Sequence, residues 1–250
     1  MESKINRYSK QLILINSLFI ILWLVVSVFP FIWTFWGSFK VKADFFSRAD
    51  WMFAVTGVNT LIETGDTSTV KAYVESWTEG EFWKATLNTI IITVSVVTIS
   101  LFLGTLGAYA LSRSTYKYTF WILIAALIFR AMPHITLVSG YLFPFFQLNV
   151  WGILPTTIIV LVAINQPFTL WLLYSFFKTV PKELDESALI DGCSYFQAFR
   201  YVIMPVMWPG VITAGLFSMM LAYNDFTVTS LLLNQQNYTM VPKINAYLGT

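Results

Sequence analysis

The side chains of this sequence that could take part in chemistry are few, and three of them interrupt long apolar runs. These three are Arg130, His134 and Asp225. A charged group at membrane depth is costly, so such a residue normally meets water or a partner and is a candidate for function. The carboxylate of Asp225 could accept hydrogen bonds from hydroxyl groups, and the amide of Asn224 could donate and accept them. The ring of Tyr223 could cover the apolar face of a bound molecule.

This inventory argues against enzyme chemistry. The chain has one histidine and one cysteine, Cys193, which leaves little for a Cys–His pair, a disulfide or a metal site. An integral membrane enzyme would need a cluster of acids, bases or metal ligands at one interface, and the sequence offers none. It also has no Gly-Lys-Ser/Thr phosphate-binding motif, so we expect no ATP to bind to this chain by a P-loop. We predict no catalytic residue, no metal and no cofactor of its own.

The longest charged segment between two apolar runs covers residues 181–205 and reads PKELDESALIDGCSYFQAFRYVIMP. Its first turns carry three acids, which favour a helix start because the helix dipole stabilises negative charge there. Gly192 suits the left-handed conformation that ends many helices. Ser194 and Gln197 have the spacing of a capping box, so a second helix can begin at once. The segment predicts a helix, a glycine turn and a second helix, after which Pro205 opens the next apolar run.

Composition indicates a membrane protein. Hydrophobic residues make up 57% of the sequence and charged residues 11%, whereas soluble domains carry about a quarter charged residues. The apolar runs far exceed ten residues, so we predict an all-α, polytopic transmembrane helical bundle. The net charge of +2 is too small to indicate a nucleic-acid partner.

Long uncharged runs predict the elements that position the residues above. The predicted spans are approximately 11–39, 85–112, 119–146, 153–177 and 207–233. Arg130, Pro133 and His134 are expected to break the third span. Basic residues before the first span predict a cytoplasmic N-terminus, with loop 40–84 external and loop 178–206 cytoplasmic. We predict one transmembrane domain over residues 1–250.

Segment 181–205 resembles the cytoplasmic EAA loop of bacterial ABC importer permeases. The family pattern is Glu-Ala-Ala, three residues, Gly, nine residues, and then Ile-x-Leu-Pro. The matching positions here are Glu186-Ser187-Ala188, Gly192 and Val202-Ile203-Met204-Pro205, with departures at Ser187, Val202 and Met204. Residues 180–184 and Asp191 look like the carbohydrate branch, in particular its maltose-type second permease. Residues 108–113, AYALSR, and 223–226, YNDF, resemble further motifs of that branch.

The resemblance implies a type I ABC importer permease fold and an ATP-driven, binding-protein-dependent importer of a carbohydrate or related polyol. The implied partners are a second homologous permease, two ATP-binding subunits that hold ATP and magnesium, an extracytoplasmic solute-binding protein and the lipid bilayer of a bacterial inner membrane. The implied ATPase-coupling residues are Glu183, Asp185, Glu186, Ser187, Ala188, Asp191, Gly192 and Pro205. The candidate substrate-path residues are Arg130, Tyr223, Asn224 and Asp225.

Several alternatives stay open at the level of sequence. Arg130 either pairs with backbone carbonyls or a partner's acid, or lines the path; Asp225 either pairs with a partner subunit's arginine or lines the path. Loop 40–84 is either a connector or part of a docking surface. The family has six spans and this sequence shows five, so the last span and tail are expected to be missing from it. The alternative function is a self-contained channel or secondary transporter, which predicts ionisable groups along several spans or paired repeats with broken helices.

Overall fold

A computed structural model describes residues 2–38 and 68–248 of the chain. Most of these residues are helical, and among them a bridge between extended segments occurs only where Gly152 pairs with Leu233. The predicted all-α class is confirmed. The chain divides into two compact units after Gly80. Compactness alone does not decide the number of domains, so the single domain predicted over residues 1–250 stays a prediction.

The first unit contains helix α1 (Glu2–Gly37) and helix α2 (Ser68–Thr78). The stretch Leu12–Phe35 of α1 has a mean hydropathy of 2.7 and is long enough to cross a membrane. It corresponds to the predicted span 11–39. Helix α2 falls within the predicted external loop 40–84, whose residues up to 67 lie outside the described part of the chain.

The second unit contains eight helices among its described residues. They are α3 (Phe82–Arg113), α4 (Thr119–Ala131), α5 (His134–Gln147), α6 (Leu154–Thr179), α7 (Glu183–Ile190), α8 (Tyr195–Tyr223), α9 (Thr227–Leu232) and α10 (Met240–Leu248). By length and composition, α3, α6 and α8 could each cross a membrane, as α1 could. Helices α4 and α5 make a fifth span if the bent pair counts as one.

Small residues allow the long helices to approach closely. A Cβ atom on Gly104 would lie 3.1 Å from side-chain atoms of both Thr169 and Leu173, so α3 and α6 meet there with little space between them. A Cβ atom on Gly210 would lie 2.8 Å from the Phe176 ring, which brings α8 against α6 in the same way. One apolar cluster then fills the end of the bundle near the fully buried Phe177.

The predicted break in the third span lies between α4 and α5, whose axes are bent by 86°. Met132 adopts an extended conformation with φ −69° and ψ 142°. A residue before proline avoids the helical region because of the proline ring, so Pro133 explains why α4 stops one residue earlier.

The predicted span 207–233 needs correction at its beginning. The second loop helix and the apolar run form one helix, α8, so Pro205 lies inside a helix and does not open one. Residues Ala198–Ile203 are wound as a π-helix, and the N–H of Met204 donates to the carbonyl of Phe199, five residues back. Proline offers no N–H and crowds the preceding turn. The wider π turn accommodates it without ending the helix.

The same span also ends earlier than predicted. Helix α8 stops at Tyr223, and the short helix α9 follows after a break that contains Asn224 and Asp225. These two residues were predicted inside a continuous helix. The break arises because the Asp225 carboxylate accepts hydrogen bonds from the first free N–H groups of α9, as a capping residue does.

Helix α10 lies where the sequence predicted a polar external segment. The hydroxyl of Thr89 accepts a hydrogen bond from the N–H of Met240 at 2.9 Å. Asn88 Nδ2 donates to the carbonyl of Tyr238 at 3.4 Å. Residues from the beginning of α3 thus hold the beginning of α10 in place.

Candidate functional site

The predicted helix, glycine turn and second helix are all present in segment 181–205. Gly192 has a φ of +86°, in the left-handed region. Its N–H donates to the carbonyl of Leu189, and the N–H of Cys193 donates to the carbonyl of Ala188. These two bonds make a Schellman motif, which satisfies the last carbonyls of α7. A Cβ atom on Gly192 would have no neighbouring atom within 4 Å outside the adjacent residues, so only the backbone conformation restricts which residue fits this position.

The predicted capping box begins α8. The N–H of Gln197 donates to the Ser194 hydroxyl at 3.3 Å, and the N–H of Ser194 donates to Gln197 Oε1 at 2.8 Å. The two helices therefore meet at a short turn whose backbone groups are largely hydrogen bonded.

Helix α7 is fixed to the bundle through one acid and two partners, which we call the Arg113 cluster: Tyr109, Arg113 and Asp185. The Tyr109 hydroxyl donates to Asp185 Oδ1 at 2.6 Å. Arg113 Nε lies 2.8 Å from Asp185 Oδ2, and these two side chains are 16% and 13% exposed. Arg113 Nη1 also donates to the carbonyls of Phe177 and Val180 at 3.2 and 3.1 Å. The cluster thereby joins the end of α3, the end of α6 and the beginning of α7.

The Arg113 cluster changes the interpretation of Asp185. The sequence placed this acid among the residues that couple to an ATPase, whereas the structure turns it toward the bundle. Its carboxylate faces Tyr109 and Arg113 and so holds α7 against the bundle, while its assignment to ATPase coupling stays a prediction. Ala188 is also buried, with 5% exposure, and packs α7 against the bundle.

The opposite side of α7 and the beginning of α8 form an exposed surface that we call the coupling surface. It combines acids with large apolar side chains, and its members are Glu183, Glu186, Ile190, Tyr195 and Phe196. Ile190 is 85% exposed and Tyr195 is 74% exposed. Contiguous exposed apolar side chains beside charged ones indicate a surface that binds another protein. Ser187, Asp191 and Gly192 are exposed at its edge.

Two of the predicted path residues, Asn224 and Asp225, line a second feature, a cavity of about 490 Å³ that we call the polar pocket. Five polar side chains line it: His134, Asn165, Asn224, Asp225 and Thr227. Arg130 is not among the lining residues, but its Nη1 donates to His134 Nε2 at 2.6 Å. Tyr223 does not line the pocket and is 44% exposed.

The polar pocket has donors and acceptors that could meet hydroxyl groups. Asp225 Oδ1 accepts the N–H groups of Val228 and Thr229 at 2.9 and 3.0 Å, and no donor among the described residues bonds to its other oxygen. Asn165 is 3% exposed, and its Nδ2 has no hydrogen-bond partner among the described residues. In the described part of the chain, no three His, Cys, Asp or Glu side chains are grouped to hold a metal ion.

The decisive comparison is with a protein family described as "Binding-protein-dependent transport system inner membrane component", which matches residues 80–249. The chain belongs to this family. The permease is therefore a multi-pass membrane component of a transport system, and the matched residues coincide closely with the second unit, which begins at Glu81.

Named relatives of the permease have similar sequences along most of their length. The diacetylchitobiose uptake system permease protein NgcG of Streptomyces coelicolor is 29% identical over 94% of this chain and 74% of its own. The trehalose/maltose transport system permease protein MalG of Thermococcus litoralis is 32% identical over 89% of this chain and 76% of its own.

A solved structure supports the fold. It is described as a bacterial ABC transporter involved in the import of the acidic polysaccharide alginate. One of its chains superposes on the permease with a TM-score of 0.71 and 20% identity, over 92% of this chain and 77% of that chain. The predicted ABC importer permease fold is confirmed.

The sequence predicted the helix, glycine turn and second helix of segment 181–205, but it did not predict the residues that hold this segment against the bundle. Residues 108–113 were recognised as a family motif, yet nothing in the sequence paired Tyr109 with Asp185, which lies 76 positions later. Asn165 was predicted only to interrupt the regularity of the fourth span and not to belong to a site, because an amide in an apolar run resembles a helix irregularity more than a pocket residue. The only available signal was that an amide at membrane depth requires partners.

Proposed function

We propose that the permease is the transmembrane subunit of an ATP-driven importer for a carbohydrate or a related polyol. The names of its relatives, which refer to diacetylchitobiose and to trehalose and maltose, support a saccharide as the substrate class. The alternative of a self-contained channel has less support, because it leaves the anchored coupling surface without a role.

The coupling surface is the observation that carries this proposal. Helix α7 is held from behind by the Arg113 cluster, while its other side exposes Glu183, Glu186 and Ile190. A helix fixed in this way can transmit a displacement, because its anchor has two charge-assisted contacts and two carbonyl contacts. We infer that a partner ATPase, which would hold ATP and magnesium, binds here. ATP hydrolysis would take place on that partner.

The transport cycle follows from a two-state equilibrium. ATP binding would close a pair of ATPase subunits and move α7, and the spans of this permease and a second homologous permease would change from inward-open to outward-open. Only differential affinity for the two states can shift such an equilibrium. ATP and a loaded extracytoplasmic binding protein would supply it. The proposal includes a cytoplasmic N-terminus.

The polar pocket is our candidate for contact with the transported molecule. The free oxygen of Asp225 and the unpaired amide of Asn165 match the donors and acceptors of a sugar hydroxyl. Arg130 would act indirectly, by holding the His134 ring through its hydrogen bond.

The test is reconstitution of the permease with its copurifying subunits in liposomes. We expect uptake of labelled maltose, trehalose or diacetylchitobiose that requires both internal ATP and the binding protein. Copurification of a protein with a phosphate-binding loop is the first requirement. Uptake that continues after removal of ATP and of the ATPase would instead support the channel or secondary transporter.

A further inference from the structure

A groove of about 500 Å³, distinct from the polar pocket, lies at the end of the bundle that carries the coupling surface. We call it the basic groove. Its walls come from the loop after α3, the first turns of α4 and the last turns of α6, and they include Tyr116, Lys117, Leu127, Trp171, Tyr174 and Lys178. Its position at this end is fixed by Arg113, which directly precedes the loop and contacts Val180.

Two lysines line the basic groove, and neither forms an ion pair with an acid of the described residues. Lys117 Nζ lies 5.3 Å from the centre of the Tyr118 ring, and Lys178 Nζ lies 5.4 Å from the centre of the Tyr174 ring. Both lysines are exposed, and no Asp or Glu in the described residues pairs with either. Ring faces attract these cations but do not neutralise them. Two positive charges are therefore available for an anion.

The wall of the basic groove becomes apolar along α4. Leu123, Ile124 and Leu127 follow the lysines, and Leu127 is about 12 Å along the helix from Thr119 at 1.5 Å per residue. The aromatic residues Tyr116 and Trp171 complete the wall. Such aromatic side chains are typical of the zone where lipid headgroups meet the hydrocarbon core. The groove thus combines a cationic end with an apolar length, which is the arrangement of an amphiphile binding site.

We propose that the basic groove binds an anionic phospholipid, with its phosphate at Lys117 and Lys178 and part of an acyl chain along Leu123, Ile124 and Leu127. Charge complementarity selects the anionic headgroup, since juxtamembrane lysines attract anionic lipids. A soluble anion would use the two lysines and leave the apolar wall uncovered. We assign this lipid to the cytoplasmic leaflet, and that assignment rests on the proposed function, which places an ATPase at the coupling surface. The binding of an anionic lipid does not depend on the proposed function.

The experiment measures lipid retained by the complete purified complex, without ATP. The complex is placed in nanodiscs of phosphatidylglycerol and phosphatidylcholine, and bound lipids are counted by native mass spectrometry. The double variant Lys117→Ala with Lys178→Ala is expected to bind phosphatidylglycerol roughly thirty-fold more weakly, because each lysine near a membrane surface changes the affinity about five-fold and the two factors multiply. Replacing both lysines by arginine should restore retention.

A matched control removes two positive charges elsewhere. Lys84→Ala with Lys243→Ala changes the net charge equally, but neither lysine lines the basic groove. Retention of phosphatidylglycerol should stay at the level of the unchanged complex. Equal retention by the Lys117/Lys178 variant and by this control would overturn the proposal.

Two further measurements separate the sources of the anion. Leu127→Trp places a larger side chain in the apolar part of the basic groove and keeps both lysines, so it should weaken phosphatidylglycerol retention. Millimolar inorganic phosphate should not displace the lipid. Displacement by phosphate together with unchanged retention in Leu127→Trp would make the groove a site for a soluble anion and overturn the proposal. A cysteine at Ile124 that crosslinks to a partner subunit in the complex would equally overturn it.

Lipid retention and ATP-driven uptake are read separately. A complex that retains the lipid but shows no ATP-dependent uptake refutes the proposed function alone. A complex with ATP-dependent uptake whose lysine variants keep all their lipid refutes the lipid site alone.

Discussion

Arg113 connects three helices with one side chain, and its environment determines what its loss would do. The guanidinium meets the carboxylate of Asp185 and the final carbonyls of α6, and it is only 16% exposed. Its planar fork can satisfy several acceptors at once, which an ammonium group cannot do in the same geometry. Removal of the arginine leaves a largely buried carboxylate whose remaining partner is the Tyr109 hydroxyl.

We predict that Arg113→Ala destabilises the permease by about 3–5 kcal/mol, the usual consequence of leaving one member of a buried ion pair unpaired. Protease sensitivity in α7 should rise, because α7 loses its anchor. Glu186→Gln is the matched control, since Glu186 lies on the exposed side of the same helix. Thermal unfolding of the purified complex and limited proteolysis measure the two effects. Identical behaviour of the two variants would contradict the positioning role of Arg113.

Glu186 is the exposed acid that we expect to pair with a basic residue of the ATPase. Glu186→Lys reverses its charge without disturbing the buried side of α7, so the permease should still insert into the membrane. Uptake should fall strongly, because like charges then face each other across the interface. Membrane content by immunoblot and uptake of labelled substrate give the comparison. Normal transport by this variant would show that Glu186 does not pair with a basic residue of the ATPase.

Asp225 has a structural role in addition to its proposed contact with substrate, and one substitution separates them. Asp225→Asn retains an oxygen that can accept the N–H groups of Val228 and Thr229, so α9 should stay capped. Only the charge is lost. We expect the complex to survive purification while the uptake rate or the preference among sugars changes. Dissociation of the complex would instead assign Asp225 to pairing with a partner subunit's arginine.

At the scale of elements, the turn between α7 and α8 depends on a single backbone conformation. Gly192 needs a positive φ, while its surroundings leave room for a side chain. Asparagine adopts this conformation more easily than other residues with a Cβ atom, and a β-branched residue adopts it least easily. The structure therefore allows the effect of backbone strain to be measured without a steric clash.

We predict that Gly192→Val uncouples ATP hydrolysis from uptake, because strain of about 1 kcal/mol or more changes the angle between α7 and α8. Gly192→Asn should retain most of the coupling. The measurement is the number of substrate molecules transported per ATP hydrolysed in proteoliposomes. Equal losses in the two variants would show that the turn needs the absence of a side chain for some reason other than its φ.

Local elements were accessible from the sequence, and contacts between distant segments were not. The Gly192 turn and the box formed by Ser194 and Gln197 depend on neighbours within a few positions, so their residue types were sufficient. The break at Asn224 was hidden because residues 207–233 are apolar on both sides of it, and hydropathy does not register a capping carboxylate. The continuity of α8 through Pro205 was hidden too, since a π turn has no recognised sequence pattern.

At the scale of the molecule, one helix connects the two candidate sites. Helix α8 begins at the coupling surface with Tyr195 and Phe196, and it ends one residue before Asn224 at the polar pocket. Its 29 residues extend about 43 Å along the helix. The two candidate sites therefore lie at opposite ends of the same helix, as the proposed transport cycle requires.

The predicted topology can be tested on residues at opposite ends of the second unit. After Cys193→Ser, single cysteines are introduced at Tyr116 and at Gln235, both of which are exposed. Tyr116 lies at the end of the bundle that carries the coupling surface, which we propose to be cytoplasmic. We therefore expect an impermeant maleimide to label a cysteine at this position only after the membrane is broken. Gln235 should be labelled in intact cells. The reverse pattern would invert the topology and place the N-terminus outside.

The Arg113 cluster also bears on biogenesis. The three helices that it joins are synthesised in the order α3, α6 and then α7, and proteins emerge and begin to fold from their N-terminal end. When Asp185 leaves the ribosome, its partners Tyr109 and Arg113 are already made, and the carbonyls of α6 already hold Arg113 if α3 has packed against α6. A newly made chain whose early spans have not associated lacks the anchor for α7. If the proposed ATPase binds at α7, its recruitment would require that the early spans have already packed, and its docking onto a half-inserted chain would be disfavoured.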